Sequence, residues 1–256
     1  MINLYSDFAV FICTHGRPNA QYTFDTFKRC GYTGRIYLVL DNTDSTIQQY
    51  IDNFGIDNVI IFDKNHYINS IEYDNGSNEP KFKCIVYAKR AVEDIAKTLK
   101  LKYFAISDDD ITDFIIRYPI EDKLKRIKLR DFDRVLDSYL DILSNNVACV
   151  GFGYVTRYFQ GSASFDDENL SKRFLPYQFL LRNSNFPVLW ESWFAEDDIT
   201  ELYSSNVGNV WLSIPHIMQV MKTIGDVNGS GGMSDIYKQF DKFRLNFNII
   251  KCCPQR

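Results

Sequence analysis

Short apolar runs and polar turns alternate regularly along the first half of the chain. Continuous apolar runs predict buried strands at Phe8–Cys13, Arg35–Leu40, Val59–Phe62 and Tyr103–Ile106. The segments between the first three runs have rough helical spacing, with Gly or Asn residues near their ends. A repeating order of strand, helix and strand predicts an α/β fold with a mainly parallel central sheet flanked by helices.

The most regular helical pattern directly precedes the fourth predicted strand. Apolar side chains from Ile85 to Leu99 recur on one face, which predicts an amphipathic helix. Arg90 lies off this apolar stripe, near the start of the helix. The residues before it, Asn65–Lys83, are polar and rich in Asn, Asp, Glu and Gly, so they predict a long loop.

Polar side chains follow the first, second and fourth of these strands. In parallel α/β sheets, ligands bind outside the carboxyl ends of the strands, so these side chains mark a candidate binding site. The residues predicted to meet there are Thr14, His15, Arg17, Asp41, Asp44, Asp108, Asp109 and Asp110.

Three consecutive carboxylates end the strand Tyr103–Ile106. Side chains alternate along an extended chain, so Asp108 and Asp110 should project to one side and Asp109 to the other. Like charges this close repel one another, and a divalent cation that also binds phosphate oxygens would hold them together. A solvated acidic turn is the alternative that the three residues alone leave open.

The second half of the chain has a less regular pattern. It contains no internal repeat and no linker that divides it, so the sequence predicts one domain over residues 1–256. The predicted elements are a helix at Asp131–Leu143, strands at Val147–Phe152, Phe179–Leu181 and Val210–Ile214, the last ended by Pro215, and an edge strand at Phe243–Ile250.

A second acidic cluster, which includes Glu196 and Asp197, precedes a helical pattern. Acidic residues at a helix N-terminus commonly stabilise the helix dipole, and that would explain them without any chemistry. The functional alternative is a general base, or a carboxylate that orients an acceptor hydroxyl. The sequence leaves both interpretations open.

The run Lys123–Arg130 is basic, with Leu and Ile interleaved. Such a run is usually a solvated face, and the alternative is a ridge that contacts the phosphates of a polyanion. Trp190 and Trp193 lie in an aromatic segment, where burial in the core is more common than stacking on a base or sugar.

Composition narrows the class of protein. The 256 residues carry a net charge of −4, so nucleic-acid binding would have to depend on a local basic patch. Neither a signal-peptide pattern nor a membrane-spanning apolar run is present, and we expect a soluble, cytoplasmic protein. The six cysteines form no Cys-x-x-Cys pair, and only three histidines occur, so reduced thiols are expected instead of a zinc site.

The ordered set of these motifs resembles the nucleotide-sugar glycosyltransferases of the GT-A fold. The residues that carry the resemblance are Thr14 to Pro18, Asp41 to Asp44 and the triplet Asp108 to Asp110. Glu196-Asp197 before a helix, Ile214-Pro215 and the segment Gly231 to Tyr237 resemble the phage TET-associated glycosyltransferases in particular. The likeness runs over nearly the whole chain.

The resemblance implies a GT-A domain with a nucleotide-sugar-binding half, 1–115, and an acceptor-side half, 116–256. It implies Mn²⁺ or Mg²⁺ on Asp108 and Asp110 and a UDP-sugar as donor. It further implies that Arg90 contacts the diphosphate and that Gly231 and Gly232 belong to a loop over the donor. The other residues implied in donor binding are Thr14, His15, Arg17, Asp41, Asp44 and Asp109.

The acceptor implied by the resemblance is a hydroxymethylated pyrimidine in phage DNA, or a sugar already attached to it, which would place the enzyme in the host cytoplasm. Asp197, with Glu196 beside it, would deprotonate the acceptor if the reaction inverts configuration, or would position it if the reaction retains configuration. Other readings stay open: a polysaccharide, lipid-carrier or protein acceptor, a nucleotidyltransferase, and a binding module without activity. The sugar and the oligomeric state are open as well.

Overall fold

A computed structural model describes residues 6–68, 84–121, 123–154, 178–192 and 196–222. Its nine strands form one sheet, with the order β3-β2-β1-β4-β8-β7-β9-β5-β6. The strands are β1 Phe8–Cys13, β2 Arg35–Asp41, β3 Val59–Phe62, β4 Tyr103–Asp108, β5 Ile111–Ile120, β6 Lys123–Lys128, β7 Val147–Tyr154, β8 Phe179–Asn183 and β9 Val210–Met221. The helices are α1 Tyr22–Arg29, α2 Ile47–Phe54, α3 Asn65–Ile68, α4 Ile85–Thr98, α5 Phe132–Ser144 and α6 Glu196–Asn206, with a 3₁₀ turn at Ile56–Asn58.

Strands β3, β2, β1 and β4 are parallel and form the N-terminal half of the sheet. Strand β1 is buried on both faces, as its unbroken apolar sequence predicts. Phe8, Val10 and Ile12 pack in one core with α1, α2 and α5, and Phe11 packs in a second core with α4 on the other face.

Strands from the second half of the chain extend the sheet in mixed directions. β8 is antiparallel to β4 and β7, β9 is parallel to β7, and β5 and β6 form an antiparallel hairpin beside β9. The predicted α/β fold, with one large central sheet flanked by helices, is therefore confirmed, and the part of the sheet beyond β4 is mixed.

A cluster of phenylalanine rings joins the two halves. Phe27 of α1 lies 5.0 Å from Phe132 of α5 and 5.7 Å from Phe179 of β8, between ring centroids. Phe114 of β5 contacts the same rings at 5.1–5.6 Å. Edge-to-face and tilted aromatic contacts of this kind stabilise a core beyond the burial of area alone.

Three details of the predicted pattern are wrong. Strand β9 does not end at Pro215 but continues to Met221, because the β7–β9 ladder shifts register after Ile214 and tolerates a residue without an N–H at that irregularity. The hairpin β5–β6 was not predicted as strands. The loop predicted from Asn65 instead begins with the short helix α3. The rest of that loop, residues 69–83, lies outside the described residues, and so does the predicted edge strand Phe243–Ile250.

A charged group lies inside the core between α4 and β8. Arg182 is fully buried, and its Nε donates to Glu93 Oε1 at 3.0 Å, while Nη2 donates to the carbonyl of Phe186 at 2.9 Å. Trp190 Nε1 also donates to Glu93 Oε1, at 3.4 Å. Each charge therefore has partners that compensate part of its lost hydration.

Cysteines 13, 30, 84 and 149 are buried free thiols, in agreement with the expected reduced state. No helix among the residues that the structure describes has the length and apolar character to cross a membrane.

Replacing Arg182 by Leu should lower the free energy of unfolding by about 3–5 kcal/mol, because Glu93 would stay buried without its cation. The double variant Glu93→Leu/Arg182→Leu should recover most of this loss, since no lone charge remains. Urea unfolding measures both. Arg134→Leu, at an exposed position of α5, is the control and should change stability by less than about 0.5 kcal/mol. A double variant as unstable as Arg182→Leu would contradict the explanation.

Candidate active site

The candidate site lies where β1, β2 and β4 end side by side. The parallel register pairs Cys13 with Asp108 on one side and with Val39 on the other. The polar residues that follow each strand therefore meet at one edge of the sheet, as predicted.

Asp109 is held by the turn between β1 and α1. Thr14 Oγ1 donates to Asp109 Oδ2 at 2.7 Å, and Arg17 Nη1 donates to Asp109 Oδ1 at 2.9 Å. Gln21 Nε2 donates to Thr14 Oγ1 at 2.8 Å, and the Tyr50 hydroxyl lies 2.9 Å from the same oxygen. Asp109 is thus engaged by the protein itself, and it fixes the position of Arg17.

Asp41 and Asp44 hold the same turn from the end of β2. Asp41 Oδ2 lies 2.9 Å from His15 Nδ1, and Asp44 Oδ2 accepts a hydrogen bond from the Gly16 N–H at 2.6 Å. Gly16 has a φ of +68°, a conformation that favours glycine. Burial by itself would raise the pKa of Asp41, but the hydrogen bonds from His15 and Thr43 hold that pKa below its usual value.

The three members of the triplet have different environments. Asp109 is buried against the β1–α1 turn, whereas Asp108 and Asp110 are half-buried. The backbone of the triplet is fixed, because Thr23 Oγ1 donates to the Asp108 carbonyl at 2.6 Å and the Lys222 N–H donates to the Asp110 carbonyl at 3.0 Å.

Lys89 of α4 brings the second acidic cluster to the site. Its Nζ donates to Asp197 Oδ1 at 2.5 Å and to Glu196 Oε1 at 3.1 Å, and it lies 4.8 Å from the centroid of the Trp190 ring. The side chain is only 2% exposed. Burial lowers the pKa of Lys89, but the charges of Asp197, Glu196 and Asp108 outweigh it, so Lys89 is protonated.

Negative charge exceeds positive charge around Lys89. Burial first, and then the neighbouring carboxylates, raise the pKa of Asp108. Burial and Asp109 raise the pKa of Asp110 to about 6, although Arg17 acts in the opposite direction. Burial and Glu196 raise the pKa of Asp197 to about 7, although Lys89 acts in the opposite direction. A doubly charged cation would relieve this excess.

The oxygen donors fit Mg²⁺ or Mn²⁺ better than zinc. Asp110 Oδ1 is buried and accepts no hydrogen bond from the residues described. Within the same residues, no three His, Cys, Asp or Glu side chains are arranged as a complete metal cage. One or two carboxylates that leave positions for phosphate and water are what Mg²⁺ usually takes, and Asp108 and Asp110 could supply these.

The structure brings most of the predicted site residues together. Arg90 lies on α4 beside Lys89, but its Nη1 donates to the carbonyl of Trp190 at 3.1 Å. Trp190 itself is fully buried in the core, as expected of most tryptophans. Gly231, Gly232 and Trp193 lie outside the described residues.

Sequence reasoning missed Lys89, Gln21 and Tyr50. The sequence did contain a signal for Lys89, because it lies four residues after Ile85 and three before Val92, on the apolar face of α4. A lysine at a buried helical position needs an anionic partner. Gln21 and Tyr50 carried no such signal, since either would fit an ordinary helix surface or core.

Metal-free protein should become less stable as pH rises from about 5 to about 7.5. The folded state keeps protons on Asp110 and Asp197, whose pKa values are raised, whereas the unfolded chain has already lost them, so stability falls with pH by roughly 1–3 kcal/mol. Asp110→Asn should flatten part of this slope. Urea unfolding in EDTA at several pH values measures it, and stability that is constant or rises over this interval would contradict the electrostatic account.

Comparison with solved structures supports the GT-A fold. Glucosyl-3-phosphoglycerate synthase from Mycobacterium tuberculosis, solved with Mg²⁺ and UDP, has 8% identity and a TM-score of 0.54, with 96% of this chain and 79% of that chain covered. The same enzyme with Mn²⁺, UDP-glucose and phosphoglyceric acid gives 9% identity and a TM-score of 0.51, with 96% and 79% covered. No curated protein matches the chain significantly.

A family comparison identifies the chain more closely. The model of the TET-associated glycosyltransferases matches residues 8–231, which include both acidic clusters and the β1–α1 turn. The match extends over most of the chain and agrees with the resemblance seen in its motifs. The chain therefore belongs to the TET-associated glycosyltransferase family.

Proposed function

We propose that this glycosyltransferase moves a sugar from a UDP-sugar to a hydroxymethylated pyrimidine in DNA, or to a sugar already on that base, in a metal-dependent reaction. The observation that carries the metal-dependent part is the crowding of carboxylates around Lys89, with Asp110 Oδ1 buried and without a donor among the described residues. Such a group favours a divalent cation shared with a diphosphate.

Asp108 and Asp110 would hold Mn²⁺ or Mg²⁺ at the end of β4. A bound metal ion supplies positive charge that stabilises the leaving diphosphate. The neighbouring structures support this choice, because the Mycobacterium tuberculosis enzyme was solved with Mg²⁺ or Mn²⁺ together with UDP or UDP-glucose.

The β1–α1 turn and the end of β2 would bind the nucleotide. Asp41 stays ionised at neutral pH because its pKa is lowered, so its carboxylate can accept from an N–H of uracil or a ribose hydroxyl. Arg17 is oriented by Asp109, and Arg90 is oriented by the Trp190 carbonyl. The guanidinium of Arg90 would contact the diphosphate with its other N–H groups. The remaining residues proposed for donor binding are Thr14, His15, Asp44, Gly231 and Gly232.

Asp197 is the proposed base of an inverting reaction. The acceptor hydroxyl oxygen would form a bond to the anomeric carbon, the bond from that carbon to the diphosphate oxygen would break, and Asp197 would take the hydroxyl proton. A pKa of about 7 suits a general base at neutral pH. Lys89, which also donates to Glu196, would hold the carboxylate of Asp197 in place.

Family membership supports the DNA acceptor, because these glycosyltransferases are described as TET-associated. A DNA acceptor would place the reaction in the cytoplasm of the cell or phage host. Mass spectrometry of nucleosides from hydroxymethylcytosine DNA, after incubation with Mn²⁺ and a panel of UDP-sugars, tests donor and acceptor together. A mass gain of one sugar is expected. UDP release without any nucleoside gain would redirect the proposal to a polysaccharide or protein acceptor.

Asp108→Asn and Asp110→Asn should each lower the rate of sugar transfer at least about 100-fold, because each removes a charged oxygen ligand of the metal. Both should also reduce the thermal stabilisation produced by Mn²⁺ with UDP, which reports binding without catalysis. Asp57→Asn, at an exposed position after α2, changes the net charge equally and should behave as wild type. Full Mn²⁺-dependent stabilisation of Asp108→Asn and Asp110→Asn would rule out the assigned ligands.

Asp197→Asn should lower kcat by roughly 10²–10⁴-fold while leaving the donor KM nearly unchanged, because the amide cannot take the acceptor proton. Glu196→Gln should have a smaller effect. Steady-state kinetics with glycosylated-product detection separates the two constants. If Asp197→Asn raised only the acceptor KM, Asp197 would position the acceptor, as in a retaining enzyme.

A further inference from the structure

The hairpin β5–β6 extends beyond the rest of the sheet. Strand β9 pairs with β5 only from Ile111 to Ile116, whereas β6 pairs with β5 from Ile115 to Ile120. The outer part of the hairpin is therefore a two-stranded ribbon without a further strand neighbour among the described residues. Two-stranded ribbons are only marginally stable on their own. Formation of the core therefore does not explain the residues found in this ribbon.

The ribbon is basic in a chain that is acidic. Residues 115–128 contain five Lys or Arg and two Asp or Glu, a net charge of +3, while the whole chain carries −4. The ladder pairs Arg117 with Arg126 on one face and Tyr118 with Lys125 on the other. Cations on both faces of an edge hairpin would attract an anionic partner from either side.

The face of the ribbon that carries Tyr118 and Lys125 combines cations with exposed apolar side chains. Tyr118, Ile120 and Ile127 are 36%, 45% and 50% exposed, and Lys123 and Lys125 lie opposite Ile120 and Tyr118 across the ladder. Basic and apolar groups side by side suit the phosphates and sugars of a nucleic-acid backbone. Self-pairing of two ribbons is disfavoured, because like charges would meet along the edge.

The length of β5 limits how far the ribbon tip can lie from the candidate site. Strand β5 starts one residue after Asp110, and its ten residues reach the ribbon tip at no more than about 33 Å along the strand. One turn of B-DNA is about 34 Å, and the C5 substituent of a pyrimidine lies in the major groove. A two-stranded β-ribbon also fits the major groove.

We propose that the β5–β6 ribbon docks on the acceptor duplex within about one helical turn of the modified base. The ribbon contacts the phosphates that border the major groove, on the same side of the duplex as the base in the active site. This inference rests on the proposed function for the identity of the acceptor, and it adds a second contact surface and a minimum length of duplex.

Binding of unmodified duplex DNA without donor tests the ribbon separately from catalysis. Lys125→Ala/Arg126→Ala removes one cation from each face, and neither residue belongs to the proposed active site. At 100 mM salt, Kd for a 30-bp duplex should rise about tenfold, and the slope of log K against log salt should become shallower by about 2. The control Lys97→Ala/Lys100→Ala removes two exposed cations near the opposite end of β4 and should change neither value.

Duplex length gives an independent test. With one hydroxymethylcytosine at the centre, shortening the flanks from 15 to 4 bp should weaken wild-type binding about tenfold and weaken the Lys125→Ala/Arg126→Ala variant much less. Equal losses in both proteins would overturn the proposal. Unchanged DNA affinity in the ribbon variant, or preferential binding of the wild-type ribbon to anionic phospholipid vesicles, would overturn it as well.

The experiments can refute the ribbon proposal and the proposed reaction separately. If UDP-sugars support no transfer but the ribbon variant loses duplex affinity, the reaction is wrong and the ribbon proposal stands. If transfer to hydroxymethylcytosine DNA occurs and the ribbon variant binds and reacts as wild type does at every duplex length, the reaction stands and the ribbon proposal is wrong.

Discussion

The site depends on the mutual repulsion of carboxylates that the fold forces together around one buried lysine. Asp108 reaches this place at the end of β4, and Glu196 and Asp197 reach it at the start of α6. Lys89 neutralises only part of their charge, and burial raises the pKa of Asp108 and of Asp197. An excess of negative charge in a preformed site favours the binding of a divalent cation together with a diphosphate.

Most of the N-terminal half could be predicted from sequence because its strands are buried on both faces. An unbroken apolar run such as Phe8–Cys13 has few other structures available, and the polar residues after it then follow from the direction of the strand. The outer part of the hairpin β5–β6 escaped prediction because residues 118–120 and the described side chains of β6 are exposed. In β6 cationic and apolar residues are interleaved, which gives no clear inside and outside.

The acidic residues of the site could be predicted from the sequence, whereas the residues that pair with them were harder to predict. Aspartates at strand ends are visible in a sequence, whereas the pairing of Lys89 with Asp197 joins residues 108 positions apart and depends on the approach of α6 to α4. The resemblance implies a diphosphate contact for Arg90 and gives Lys89 no role, whereas helical spacing directs Lys89, not Arg90, towards the acids. Gly231 and Gly232 lie outside the described residues, and their place over the donor stays a prediction.

The engagement of Asp109 by Thr14 and Arg17 has a consequence for the energetics of donor binding. The triplet and the β1–α1 turn are one hydrogen-bonded unit before any ligand arrives, and the chain entropy of this region is lost during folding. A nucleotide therefore meets preorganised groups at the β1–α1 turn, and the ordering of this turn adds little to the entropic cost of association. The part of the donor that contacts this turn should then be selected by its fit to a rigid surface, more than by rearrangement of the turn around it.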